Sequence, residues 1–161
     1  MHRTLLGPLL ILFAIGTPAR AVELPTPVKA ALSLFGTIET PRMLRDMCVA
    51  HSPDTADATS AAYASWEVRR GSLIDSAKAL LEARREQLSP LLNKTTEGKI
   101  SDLDGVTAFL EREMQRNAEA RGDEYMDQVC STYPQFLESI DHGFAERLQG
   151  QVEVLRSLPT E

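Results

Sequence analysis

The chain has 161 residues, with 17 Lys and Arg against 23 Asp and Glu, a net charge of −6. That balance argues against nucleic acid and anionic membrane surfaces as partners. The length suits one domain with a sizeable core, and two cysteines allow a single internal bridge.

Residues 1–21 have the layout of a cleaved signal peptide. His2 and Arg3 make a basic start, Leu5 to Ile15 a mostly apolar run, and Ala19-Arg20-Ala21 a small-residue exit. The run is shorter than the roughly 20 apolar residues that span a bilayer. Val22, not a cysteine, follows the exit, so the lipid-attachment signal of bacterial lipoproteins is missing. The expectation is a periplasmic or secreted protein without a stable membrane anchor, with residues 22–161 forming one all-helical domain. Losing Arg3 and Arg20 leaves 15 basic against 23 acidic residues, a charge of −8. The excess of arginine over lysine suits a GC-rich genome and so a bacterial periplasm. An oxidising compartment makes a Cys48 to Cys130 disulfide the leading reading of the cysteines.

Thr26-Pro27 and Thr40-Pro41 each set a capping hydroxyl before a proline suited to a first helical turn, which predicts two short helices divided by Gly36. The second carries Met43, Leu44, Met47 and Cys48 and breaks at His51-Ser52-Pro53. Ala62, Tyr63, Trp66, Leu73, Ile74, Ala77, Leu80, Leu81 and Leu88 then trace one face of a long helix over residues 53–88. Gly71 inside it marks a close approach or a bend. Ser89-Pro90 and residues 93–98 read as a linker, in which Asn93-Lys94-Thr95 is a glycosylation acceptor only in a eukaryotic secretory pathway.

Ser101 and Asp104 resemble a capping box for a helix running to Arg121, which Gly122 stops. Asp123 caps a further helix through Cys130, Pro134 restarts helix, and Gly143 is a candidate division of the last segment. No stretch alternates apolar and polar residues long enough to predict a strand. Each cysteine ends a helix shortly before a proline that begins the next, an arrangement consistent with a duplication but needing no common ancestry.

Met43, Met47, Cys48 and His51 include soft-metal donor types. The packing reading is preferred, because the methionines fit a core face, the bridge claims Cys48, and His51 complements a helix C-terminus. Tyr63, Trp66, Arg69 and Arg70 set two aromatics and two guanidinium groups on adjacent turns, suited to stacking or to holding an anion. Arg84 lies further along the same helical line. The alternative is that the aromatics anchor the core while the arginines cover them and pair with acidic helices. Glu111, Glu113 and the nearby aspartates show a charged face only. Serine-nucleophile, phosphate-loop, zinc-helix and Cys-x-x-Cys-His motifs are absent.

The run Cys48-x4-Pro53, then Ala62-Tyr63-x-x-Trp66-x-x-Arg69-Arg70 and Leu73, resembles small exported helical proteins of Gram-negative bacteria with no assigned function. The resemblance covers about a quarter of residues 22–161, implies an all-α periplasmic protein and carries no catalytic residue across. Secreted chorismate mutases, also exported, all-helical and dependent on dispersed arginines, are the sharpest enzymatic alternative, although their expected lysine and acidic motifs are missing here.

The sequence therefore predicts an all-α, disulfide-stapled bundle of about five or six helices around one long central helix. The expected function is a non-enzymatic interaction protein (an inhibitor, immunity partner or chaperone-like factor) that binds another protein and needs neither cofactor nor metal. The alternative is a small-ligand binder or enzyme using Tyr63, Trp66, Arg69, Arg70 or Arg84 on an anionic group.

Overall fold

A computed structural model describes residues 25–159, so the predicted signal segment lies outside the described residues. All regular structure in them is helical: α1 Thr26–His51, a 3-10 turn Pro53–Thr55, α2 Ala56–Ala83, α3 Arg85–Thr95, α4 Leu103–Arg121, α5 Asp123–Ser131, α6 Tyr133–Asp141 and α7 Phe144–Arg156. The expected all-α bundle with a long central helix is what forms, with seven α-helices among these residues.

The helix at the centre is α1 rather than the expected one over residues 53–88. Its buried side chains, among them Val28, Ala31, Leu34, Ile38, Met43 and Leu44, point in several directions around its axis. A helix apolar on more than one face must be covered on more than one side, and α1 touches each of the other helices. The two short helices predicted for this stretch are therefore one, with Pro41 inside it. An interior proline removes a hydrogen bond and costs about 3 kcal/mol. Packing on either side of Pro41, from Leu34 and Ile38 to Met43 and Leu44, outweighs that cost, and only tertiary contacts could do so.

The long stripe after Pro53 is broken where the sequence shows no breaker. α2 ends at Ala83, and Arg84 adopts φ −107° and ψ 7°, with its amide donating to the carbonyls of both Leu80 and Leu81. α3 then carries the fully buried Leu88 and Leu92 and packs against α1 and α4. Pro90 lies within α3, so the linker shrinks to the turn before α4. There Thr96 Oγ1 accepts the Ile100 amide at 3.0 Å. Gly71 lies inside the uninterrupted α2 and is not a close approach, since a Cβ placed there meets nothing within 4 Å.

Asp102, not Ser101, caps α4, its carboxylate accepting the Gly105 amide at 2.9 Å. Asp104 is taken instead by Arg85, at 3.0 Å. Gly122, at φ +80°, separates α4 from α5 as expected, and Gly143, at φ +70°, separates α6 from α7. Cys48 and Cys130 form a disulfide that ties the end of α1 to α5. No helix of the described residues is long and apolar enough to cross a membrane.

Candidate functional site

The five residues singled out, four on α2 and Arg84 just past its end, do not converge. Trp66 is fully buried and meets the Phe144 ring edge-on at 5.3 Å between centroids, with its indole N–H lacking an acceptor among the described residues. Tyr63 is also buried, lies under the Arg45 guanidinium and donates to Glu67 Oε1 at 3.0 Å. Burial, then the hydrogen bond to Glu67, pushes its phenol up to about 12.

Arg69 and Arg70 meet on one carboxylate, Asp141, at the end of α6. Arg70 donates through Nε to that carboxylate and through Nη2 to the Asp141 carbonyl at 3.2 Å. The hydrogen bond from Arg70 holds the Asp141 carboxyl below the usual carboxylate range. Arg84 lies 14 positions beyond Arg70, just past the end of α2 and about 20 Å away at 1.5 Å per residue, and donates to the Arg156 carbonyl at 3.3 Å. The sequence cluster is thus split between the core, an ion pair tying α2 to α6, and a contact with the end of α7.

Another surface gathers what that cluster does not. A cavity of about 1000 Å³ opens along α1 between α4, α6 and α7. Its floor is apolar: Leu32, Phe109, Leu110, Phe136, Ile140 and Phe144, with Pro41. Gly36 faces it from α1, and a Cβ there would meet nothing within 4 Å. Thr37 and Thr40 lie beside Pro41 on the same wall. Because proline has no N–H, the Thr37 carbonyl loses its ordinary helical donor at this point.

Five cations surround the floor: Lys29 of α1, Lys99 before α4, Arg112 and Arg116 of α4, and Arg147 of α7. Glu113 is the one carboxylate among the lining residues, and it pairs with Arg116 at 2.9 Å. Among the described residues, no carboxylate lies within 4.0 Å of Lys99, Arg112 or Arg147. Arg147 is oriented by donating to the Ile140 carbonyl. A basic rim on an apolar floor stands out in a chain whose acidic residues exceed its basic ones by six.

The sequence carried a partial signal for this groove. Phe109, Arg112 and Arg116 follow one another at helical spacing on α4, an apolar-basic stripe in an otherwise acidic protein. Phe136, Ile140 and Phe144 read as one apolar face, and nothing local says that this face stays partly open.

No family model matches the chain, and no curated protein or solved structure matches it.

Proposed function

We propose that this is an exported, non-enzymatic interaction protein whose groove receives an acidic amphipathic helix of a partner protein. The observation that carries the reading is the groove's charge: five cations to one carboxylate around an apolar floor, in a chain of opposite overall sign. Apolar burial supplies affinity in such helix-in-groove binding, and complementary charge supplies rate and orientation. Lys29 and Pro41 stand 12 positions apart on α1, so this wall is about 18 Å long, or three helical turns. That length fits anchors at i, i+3 or i+4, and i+7 of a bound helix. The disulfide supports export, because such bridges persist in oxidising compartments. Export also agrees with the signal-like residues 1–21 and with the resemblance to exported helical proteins. Inhibitor, immunity and chaperone-like roles all fall within this reading.

The groove volume favours one second reading. About 1000 Å³ is the upper end of small-ligand sites, so a single-chain anionic amphiphile would also match floor and rim. This is the anionic-ligand alternative transferred from the α2 arginines to the α4 rim.

The test uses two probes, a labelled Leu/Glu-rich amphipathic peptide and laurate, on the wild type and on two variants. Gly36→Phe fills the groove from a position with room for a side chain, and Arg112→Glu with Arg116→Glu reverses part of the rim. Phe144 lines the groove and touches the sole tryptophan, so Trp66 emission reports occupancy. Peptide binding that weakens with salt and by about tenfold or more in both variants, with helical content unchanged, supports the protein-partner reading. One-to-one laurate binding without peptide binding supports the second. Binding that neither variant alters sinks both.

A further inference from the structure

We propose that the pocket between α1, α4 and α5 is a binding site for a soft monovalent metal cation, copper(I), with methionine thioethers and His51 as its donors. This inference is independent of the groove, with which the pocket shares no lining residue.

The chain has five methionines. Apart from Met1, all of them line one cavity of about 610 Å³: Met43 and Met47 from α1, Met114 from α4 and Met126 from α5. His51, one turn beyond Met47 on α1, lines it too. Met43, Met47 and His51 lie at i, i+4 and i+8, so they occupy one helical line about 6 Å apart per step. Methionine is an adaptable gap-filler, and packing by itself does not require all four to meet at one cavity. Here Met43 and Met126 are buried while Met47 and Met114 are partly buried against the core.

The chemistry of the donors selects the ion. Thioethers are soft ligands that suit copper(I), and they need no deprotonation to bind. The competing soft donor, thiolate, is removed by the disulfide, and no free cysteine remains. His51 Nε2 lies 2.9 Å from Asp127 Oδ1, so the carboxylate holds the proton on Nε2 and leaves Nδ1 as the nitrogen with a lone pair. A carboxylate behind a ligating imidazole is the usual means of fixing its tautomer. Among the described residues no group of three or more His, Cys, Asp and Glu is placed to hold a metal, which leaves thioethers as the bulk of the donor set.

The surroundings favour a cation. Asp46, Glu111, Glu119 and Asp123 line the pocket; Arg42 and Arg45 take up Asp46 and Glu111, while among the described residues no cation lies within 4.0 Å of Glu119 or Asp123. Arg42 Nη2 to Glu111 Oε1 at 3.0 Å ties α1 to α4, and the His51–Asp127 contact and the disulfide tie α1 to α5. The donors therefore sit on walls already joined, as a pre-organised site requires. The sequence favours packing for Met43, Met47, Cys48 and His51, because the methionines fit a core face, the bridge claims Cys48 and His51 suits a helix C-terminus; Met114 and Met126 join them only in the fold.

The experiment titrates the oxidised full-length protein with silver(I), a redox-inert stand-in for copper(I) that leaves the disulfide intact, and follows [13C]methyl-methionine resonances. Competition with bicinchoninate then measures copper(I) itself. One equivalent of silver(I) is expected to shift at least three of the methyl signals assigned to Met43, Met47, Met114 and Met126 and to raise the melting temperature. Met47→Leu with Met114→Leu keeps the pocket's volume and apolar character, and is expected to weaken copper(I) binding by at least about tenfold. His51→Gln, which leaves every methionine in place, is expected to weaken it by about tenfold. Silver(I) that moves none of these methyls, or that binds both variants as it binds the wild type, overturns the proposal.

Discussion

Tyr133 donates its phenolic hydrogen to the Pro41 carbonyl oxygen at 2.7 Å, in the buried centre of the molecule. The contact joins α6 to α1 beside the proline that interrupts the α1 hydrogen-bond ladder. Tyr133 is fully buried, and burial pushes its phenol well above the ordinary range, so the hydroxyl remains a donor throughout the accessible pH range. A buried hydrogen bond of this kind contributes roughly 0.5 to 1.5 kcal/mol net. Tyr133→Phe keeps the ring and removes only the donor. Urea denaturation should show a loss of about 1 kcal/mol, and an unchanged midpoint would show that the bond contributes nothing.

The Cys48–Cys130 bridge spans a sequence separation of 82 residues. In the chain-entropy model, closing a loop of that length stabilises the fold by roughly 4 to 5 kcal/mol, a large share of the total for a domain of this size. Intact mass with alkylation should find no reactive thiol before reduction and two after it. The Cys48→Ala, Cys130→Ala double variant should lose several kcal/mol in denaturant titrations. Two alkylated cysteines in the native protein would remove the staple from the account.

Two glycines predict substitutions of opposite sign. Gly71 is helical with open space around it, so Gly71→Ala should stabilise by about 0.5 to 1 kcal/mol through the unfolded chain's lost freedom. Gly122 has φ +80° and ψ −179°, a conformation that side chains resist. Gly122→Ala should cost about 1 to 3 kcal/mol. Thermal melts of the two variants should move in opposite directions from the wild type.

Glu39 on α1 is nearly buried and receives both Arg42 Nε and Lys78 Nζ at 2.8 Å. Burial raises its pKa, but the hydrogen bonds from Lys78 and Arg42, with their charges, outweigh burial and hold it below the usual value of 4.5. A carboxyl depressed in the folded state stabilises above its unfolded pKa, and that stability is lost as pH falls through the folded value. Glu39→Gln should therefore be less stable than the wild type by about 1 to 3 kcal/mol near neutral pH. The gap should close as pH drops below about 4.5, which chemical denaturation at several pH values can follow. A gap independent of pH would assign the effect to packing, not charge.

Local sequence features accounted for much of the architecture. Helical spacing of apolar residues, the restarts at Pro53 and Pro134 and the breaks at Gly122 and Gly143 all have their counterparts in the elements observed. Two cysteines in a chain with an export-like leader were enough to pair Cys48 with Cys130. These features are legible because each depends on residues a turn or two apart, or on there being only one way to pair.

What the tertiary structure decided depends on residues far apart in the chain. Pro41 lies inside α1 because burial on several sides outweighs a local penalty that sequence reading counts alone. Arg69 and Arg70 pair with Asp141, a residue 71 positions beyond Arg70, so the apparent anion site on α2 resolves into an ion pair between α2 and α6. The cationic groove needs α1, α4, α6 and α7 side by side, and the methionine pocket needs α1, α4 and α5. Periodicity along one helix identifies which face is apolar, but whether a neighbouring helix covers that face or leaves it open is set only when the helices pack.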